Sequence, residues 1–218
     1  VDLCHFGGKM TYEQIYNNVI FKLVNKDKNE ELLKTVPYVE YLDLAIIFYL
    51  NLPEMVAEDG IYTMLVTNYL VEEMHMDVNE LMKCAIANTP KILGLKVQGL
   101  FTTIADCLGD ESLKNEAEKE DKNTPAYVVT NNNNSFGASV VIYKDLLKNL
   151  SLKLQGDLYV IPCSLHEVIV IKCLEGFRSP EELKETIHYV NRSQVRPEDV
   201  LSDSLYYYSQ NEDALCIV

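Results

Sequence analysis

Residues 157–173 read DLYVIPCSLHEVIVIKC, two short runs of β-branched and aromatic residues on either side of a tight turn. Runs of this kind, bounded by proline, glycine or polar residues, are typical of strands. The first run covers 157–162 and ends at Pro162, which has no backbone donor to continue a ladder. The second run covers 167–173. We therefore predict an antiparallel hairpin whose turn is Pro162–Leu165.

The same pattern recurs outward from this stretch in both directions. Further predicted strands cover 19–24, 38–52, 61–67, 126–130, 205–208 and 215–218. The runs 38–52 and 61–67 form a hairpin across a loop that contains Glu58, Asp59 and Gly60. The last two runs form another across 210–213. Hairpins mixed with helices, rather than alternating strictly with them, indicate an α+β fold with a mixed, largely antiparallel sheet and helices packed on it.

Helix starts are marked by residues whose side chains can accept a hydrogen bond from the first turn. These N-cap residues are Thr11, Asp27, Asp77 and Ser179, each followed three positions later by Gln or Glu. They predict helices near 12–18, 28–35, 78–89 and 180–191. A fifth helix is expected over 138–150.

The segment 109–124 is dominated by acidic and basic residues and contains almost nothing apolar. It offers little surface to bury, so we expect an acidic, mobile linker. It divides the chain into an N-terminal half, 1–108, and a β-α-β-β-α half, 125–218, unless the two form one continuous domain. The run of four asparagines at 131–134 favours a turn, because Asn tolerates left-handed backbone angles.

Charge and cysteine usage narrow the context in which the protein works. The chain of 218 residues has 33 acidic and 19 basic residues, a formal net charge of -14. This field repels DNA, RNA and anionic membranes, so nucleic acid is not expected as a partner. The longest apolar run, 42–52, is too short to cross a bilayer. Six cysteines without a Cys-x-x-Cys pair favour free thiols and a cytoplasmic location.

An ordered series of short motifs carries a resemblance to a known family. The motifs are Phe21–Asn25, Leu42–Tyr49, Asn88–Pro90, Thr130-Asn131, Gly137-Ala138, Ile161–Glu167 and Val200–Asp203. The chain, from about Val19 onward, resembles a family of gut-associated anaerobic bacteria known as a domain of unknown function, family 5688. The resemblance implies no activity. Relatives tend to have Ser where Cys163 stands here.

The densest cluster of reactive side chains is Cys163-Ser164-Leu165-His166-Glu167, which places a thiol, a hydroxyl, an imidazole and a carboxylate in one turn. Cys163 or Ser164 with His166 could serve as a nucleophile and base in a hydrolase. Such pairs are normally assembled from distant segments, and no glycine-rich oxyanion loop accompanies them here. A hairpin turn supported by His166 is the alternative interpretation, and we favour it.

Metal and cofactor sites are not predicted from the sequence. The four histidines stand apart from one another, and no pair of cysteines has metal-ligand spacing. Gly7-Gly8 and Gly94 with Gly99 lack the remaining residues of a phosphate-binding loop.

Two polar pairs at the ends of predicted elements are candidate ligand-binding residues. They are Asn88-Thr89 at a helix end and Thr130-Asn131 at a strand end. Such residues either line a cleft or hydrogen-bond to backbone groups at the ends of elements. We predict a non-catalytic binding or regulatory module that acts through contacts with a protein or a small ligand. A hydrolase that uses the Cys163, Ser164 and His166 region is the alternative.

Overall fold

Two units make up the computed structural model, Val1–Gly94 and Leu95–Val218, each defined by its own internal contacts. The structure describes residues 2–3, 8–9, 11–57, 60–162, 164–174 and 178–218. Among these residues, no helix has the length and apolar character needed to cross a membrane.

The first unit is built around one long strand. Its elements are β1 (Asp2–Leu3), β2 (Gly8–Lys9), α1 (Tyr12–Asn18), β3 (Val19–Asn25), α2 (Glu30–Leu33), β4 (Tyr38–Tyr41), β5 (Leu44–Ala57), β6 (Gly60–Leu65), α3 (Asn68–Met74) and α4 (Val78–Leu93). Strand β5 pairs with β3 along one side and with β4 and β6 along the other, always antiparallel. Strands β1 and β2 form a separate antiparallel pair.

Both faces of this sheet are buried, which explains the nearly continuous apolar runs in β3 and β5. Helix α4 packs against β3 and β5, and α1 packs against α4. On the sheet, a separate cluster joins Val24, Ala45 and Ile47 to Leu33 and Val36 from the α2 region. A strand buried on both faces has no alternation of polar and apolar residues.

Three of the four predicted helix starts are confirmed. Thr11, Asp77 and Ser179 each form a complete capping box with the residue three positions later. The prediction for Asp27 is wrong, because Asp27 opens a 3-10 turn, Asp27–Asn29, and its side chain caps no helix. Helix α2 begins only after this 3-10 turn, at Glu30, and has four residues.

The predicted strand over 38–52 is two strands rather than one. Leu42 has a positive φ of 57°, which only a turn accommodates readily in a bulky residue. The chain reverses there, so β4 pairs antiparallel with the first residues of β5. The sequence does not predict this reversal, because the largely apolar run around Leu42 is typical of one continuous strand.

The second unit holds the hairpin of residues 157–173. Its elements are β7 (Lys96–Gly99), α5 (Leu100–Leu108), α6 (Lys114–Asn123), β8 (Ala126–Thr130), α7 (Leu146–Leu154), β9 (Leu158–Ile161), β10 (Val168–Lys172), α8 (Pro180–Ser193), β11 (Tyr206–Ser209) and β12 (Ala214–Ile217). They form a six-stranded sheet in the order β12-β11-β9-β10-β8-β7. Every pairing is antiparallel, which confirms the α+β fold with hairpin-built sheets.

Helices cover the two faces of this sheet. On one face, Leu183 and Ile187 of α8 form a cluster with Ile161, and Ile169 of β10 packs against that cluster. Helix α5 contacts β7 and β8. On the opposite face, Lys153 of α7 lies over the ring of Tyr127, with its ammonium 4.8 Å from the ring centroid.

Two segments differ from the expected secondary structure. The segment 109–124, expected as a mobile linker, contains a 3-10 turn, Glu111–Leu113, and α6, whose Asp121 accepts hydrogen bonds at the start of α5. The helix expected over 138–150 is a 3-10 segment, Gly137–Ile142, followed by α7. By contacts the chain divides between Gly94 and Leu95. The mobility of 109–124, and a domain boundary there, stay predictions.

Candidate functional site

The turn between β9 and β10 contacts three other segments of the second unit: the end of β8, the segment at Ala138 and the segment 199–202. Leu165 donates its N–H to the carbonyl of Asp199 at 2.8 Å and accepts the N–H of Ala138 at 3.2 Å. Ser164 forms an isolated antiparallel bridge with Val200. The N–H of Ser202 reaches the carbonyl of Pro162 at 3.0 Å. The motifs that carry the family resemblance in this half therefore come together at one place, which we call the β9–β10 turn junction.

His166 lies within this junction, and both of its ring nitrogens have partners. Its Nδ1 accepts the backbone N–H of Phe136 at 3.3 Å. Its Nε2 lies 3.4 Å from Oδ1 of Asp199, and the other oxygen of Asp199 binds the Arg196 guanidinium at 2.7 Å. With Nδ1 acting as an acceptor, the proton of a neutral ring belongs on Nε2. The ring therefore bonds to neighbouring segments and not across its own turn.

Ser164 is buried and its hydroxyl is also committed. Its Oγ accepts the N–H of His166 at 2.9 Å and donates to Oε1 of Glu167 at 3.0 Å. The hydroxyl thus bonds to the backbone of His166 and not to its imidazole. The third candidate nucleophile, Cys163, lies outside the described residues. A nucleophile and its base need a direct hydrogen bond between their side chains, and Ser164 and His166 have none.

Thr130 and Asn131 support the same junction from the end of β8. The Thr130 hydroxyl donates to the carbonyl of His166 at 2.7 Å. Asn131 is fully buried; its side chain accepts from the N–H groups of Asn133 and Ser135 and donates to the carbonyl of Ser135. The expected turn at 131–134 is present, with a positive φ of 49° at Asn134.

Asn88 and Thr89 lie in the first unit, where they bond to backbone groups at the end of α1 and in β3. The Asn88 amide donates to the carbonyls of Tyr16 and Val19, at 2.7 and 3.1 Å. Thr89 Oγ1 accepts the N–H of Phe21 at 3.1 Å. Strand β3 is the edge of its sheet, and these contacts cover backbone groups that an edge would otherwise expose. The two predicted polar pairs therefore belong to different units.

A groove of about 500 Å³ opens beside the junction, on the sheet face that carries α5. Its floor is formed by alternate residues of β7, β8 and β10, together with Glu167 just before β10, and its wall by α5. Of the predicted ligand-binding residues, Thr130 lines it. The volume lies within the range of about 300–1,000 Å³ that is typical of small-molecule sites. We call it the β7–β8–β10 groove.

The floor of the groove consists of two cross-strand rows of side chains. Lys96 is paired with Thr130, and Gln98 with Val128. Val128 is paired in turn with Ile169 on β10. Because Val129 is paired with Val168, Glu167 continues the first row beyond Thr130. One row is therefore Lys96–Thr130–Glu167, which is polar, and the other is Gln98–Val128–Ile169.

The wall of the groove presents Thr103, Asp106 and Cys107 from α5. Asp106 accepts a hydrogen bond from the Gln98 amide at 2.6 Å and lies 3.7 Å from the ammonium of Lys114. The Gln98 bond joins the wall to the floor, and the Lys114 ammonium, which also binds Glu111 at 2.6 Å, lies near the Asp106 carboxylate. Among the described residues, no group of three or more His, Cys, Asp or Glu side chains could hold a metal ion.

The groove was not predicted from the sequence, although one of its residues was. Lys96 and Gln98 alternate with Val97 in a way that is typical of a half-exposed strand. The run is only four residues long and ends at Gly99, so it was too short to separate from the loop around it. Which strands lie side by side depends on pairing between distant segments, and a single sequence does not reveal that.

The fold and the groove define an α+β protein with antiparallel sheets and an open, mixed polar and apolar cleft on one sheet face. The chain belongs to the family of unknown function DUF5688, whose family model matches residues 4–210. This match confirms the resemblance found in the motifs; the bacterial source stays a prediction. Searches of curated proteins and of solved structures found no match to the chain.

Proposed function

We propose that this protein is a non-catalytic binding module and that the β7–β8–β10 groove is its site for a small ligand. The observation that carries the proposal is the groove itself, an open cleft of about 500 Å³ whose floor combines one polar and one largely apolar row of side chains. Binding sites typically combine an apolar surface with a few placed polar groups.

The state of the candidate catalytic residues supports binding over hydrolysis. Ser164 is 5% exposed, and its hydroxyl bonds to Glu167 and to the His166 backbone. His166 directs Nδ1 to the Phe136 N–H and Nε2 towards Asp199. A general base needs a lone pair directed at the proton that it removes, and the lone pair of Nδ1 is directed at a backbone donor instead.

The charge and the cysteine spacing support the rest of the proposal. A formal net charge of -14 disfavours nucleic acid and anionic membranes as partners. Cysteines without paired spacing fit a reducing compartment, so we place the protein in the cytoplasm.

A binding experiment with a matched pair of variants tests the site. The ¹⁵N-labelled chain is titrated with a panel of amino acids, short peptides, carboxylates, amines and sugars while its amide NMR shifts are followed. We expect at least one compound to shift the amides of residues 96–107, 128–134 and 167–169. Val128→Trp should fill the groove and abolish those shifts.

Val97→Trp is the control, since Val97 is the neighbour of the floor residues Lys96 and Gln98 but points to the other side of β7 and is 37% exposed. It should bind as the parent does. If no compound shifts the groove amides, or if Val128→Trp still binds, the proposed site is wrong. If the parent hydrolyses p-nitrophenyl esters and a folded His166→Ala variant does not, the protein is a hydrolase and the binding proposal is wrong.

A further inference from the structure

The polar row on the floor of the groove has charges of opposite sign at its two ends. Lys96 is on β7, Glu167 precedes β10, and Thr130 lies between them on β8. Neighbouring strands are about 4.8 Å apart, so the backbones that carry the two charges are separated by roughly 10 Å. The row therefore has a positive charge at its β7 end and a negative charge at its β10 end.

Neither charge at the ends of the row is neutralised by the protein. Among the ion pairs of the described residues, none includes Lys96 or Glu167. Glu167 accepts one hydrogen bond, from the Ser164 hydroxyl, and this bond fixes the position of its carboxylate without cancelling its charge. Asp106 on the wall differs, since it is paired with Gln98 and lies near Lys114.

We propose that the groove binds a short peptide, of two or three residues, with its free ammonium at Glu167 and its free carboxylate at Lys96. This inference rests on the proposed function of the groove and names its ligand class. A ligand with only a negative charge would be repelled by Glu167 and by the net charge of -14. A cation alone would leave Lys96 without a partner. A zwitterion satisfies both ends.

The dimensions of the groove select a peptide over a free amino acid. An extended chain advances about 3.3–3.6 Å per residue, so two or three residues span roughly 7–10 Å between their ends. This span matches the roughly 10 Å between the backbones that carry the two charges. Val128 and Ile169 in the second row then contact an apolar side chain of the peptide. The volume of about 500 Å³ accommodates a ligand of this size.

Capped peptides separate the role of each charge. The full chain is titrated with Leu-Leu, with N-acetyl-Leu-Leu, which has no ammonium, with Leu-Leu-amide, which has no carboxylate, and with free leucine. Amide NMR shifts and calorimetry measure the binding. We expect Leu-Leu to bind at the groove, and each capped form and free leucine to bind at least tenfold more weakly.

Two charge-removing variants assign the ends. The affinity of Lys96→Met for Leu-Leu should be no higher than the affinity of the parent for Leu-Leu-amide. The affinity of Glu167→Gln for Leu-Leu should be no higher than the affinity of the parent for N-acetyl-Leu-Leu. Lys119→Met and Glu118→Gln, on the exposed side of α6, make the same charge changes away from the groove and should bind as the parent does. The Gln side chain at 167 retains an acceptor for Ser164, so the turn is preserved.

The outcomes distinguish this inference from the proposed function. If capped and free peptides bind in the groove equally well, the peptide termini are not recognised and the inference is overturned, while a small-ligand site remains. If peptides fail but another compound of the panel shifts the groove amides, the ligand class is wrong. If no compound shifts them, both the inference and the proposed function fail.

Discussion

The hydroxyl of Thr130 donates a hydrogen bond of 2.7 Å to the carbonyl oxygen of His166, and this bond joins the end of β8 to the turn between β9 and β10. The two residues are 36 positions apart in the sequence. Thr130 also lines the β7–β8–β10 groove. One side chain, Thr130, therefore both stabilises the β9–β10 turn and forms part of the floor of the proposed binding site.

Gly137 allows the close packing around this bond. A Cβ atom at position 137 would overlap the Thr130 hydroxyl oxygen and the His166 carbonyl oxygen and would lie 2.8 Å from the Asn131 nitrogen. Since two of these three atoms belong to the backbone, they cannot move aside cheaply. We expect Gly137→Ala to lower the free energy of unfolding by about 1–3 kcal/mol, as overpacking does. Urea denaturation measures the change.

The matched control is Gly156→Ala, because the nearest atom to a Cβ at Gly156 is the end of the Lys172 side chain, at 3.3 Å. That flexible chain can move, so this variant should be nearly as stable as the parent. Equal losses in both variants would show that the close approach at Gly137 does not matter.

His166→Ala tests the structural role of the imidazole. The change removes the acceptor for the Phe136 N–H and the contact with Asp199. We expect a loss of about 1–2 kcal/mol in unfolding free energy, the usual cost of a lost partly buried hydrogen bond. Chemical denaturation at pH 7 gives the value. His188→Ala is the control: His188 is half-exposed, and its Nδ1 lies 3.5 Å from Asp203 but accepts no backbone N–H, so this variant loses a similar carboxylate contact without losing a backbone hydrogen bond. A parent-like stability of His166→Ala would contradict the role assigned here.

Asn88→Ala tests how α4 is attached to the first unit. The Asn88 amide is the donor to both the Tyr16 and Val19 carbonyls, so the variant leaves two acceptors without this partner. We expect a loss of about 2 kcal/mol, measured by thermal and urea unfolding. Ile86→Ala, on the same helix with Ile86 43% exposed, should change stability far less. If the two variants lose stability equally, the loss comes from helix α4 and not from the Asn88 bonds.

Lys22 gives the protein a predicted pH dependence. Its ammonium donates to Thr63 at 3.2 Å and lies 3.8 Å from the centroid of the Tyr49 ring. Burial lowers the pKa of Lys22 from 10.5 to about 8, because the charged amine loses hydration. The unfolded chain therefore binds more protons than the folded chain between about pH 8 and 10.5, and stability contributed by this group rises with pH across that window.

Lys22→Met removes the cost of burying the charge. We expect the variant to be more stable than the parent at pH 7, by up to about 3 kcal/mol, with the difference shrinking as the pH approaches 10.5. Urea unfolding from pH 7 to 10.5 measures this. Lys26→Met is the control, since Lys26 is paired with Glu40 and its pKa is raised, chiefly by that hydrogen bond. Parallel pH profiles for the parent and Lys22→Met would refute the prediction.

Local signals in the sequence were sufficient for the fold class and for most elements. The capping boxes at Thr11, Asp77 and Ser179 were found because a cap and its partner are only three residues apart. The hairpin of β9 and β10 was found because both strands and their turn lie within 157–173. The predictions at Asp27 and Leu42 are wrong, since the neighbouring residues are compatible with more than one local structure.

The contacts that create the candidate site depend on tertiary structure alone. Lys96, Thr130 and Glu167 are neighbours because β7, β8 and β10 pair in one register, and no local pattern specifies which distant strands will pair. Its polarity at the end of a strand makes Thr130 a candidate in the sequence, but nothing in the sequence indicates that its hydroxyl reaches His166. Composition and periodicity determine which segments become helices and strands, because those preferences act over a few residues. The groove exists only once burial of the two sheet faces has brought segments far apart in the chain side by side, and that is a property of the whole packed unit.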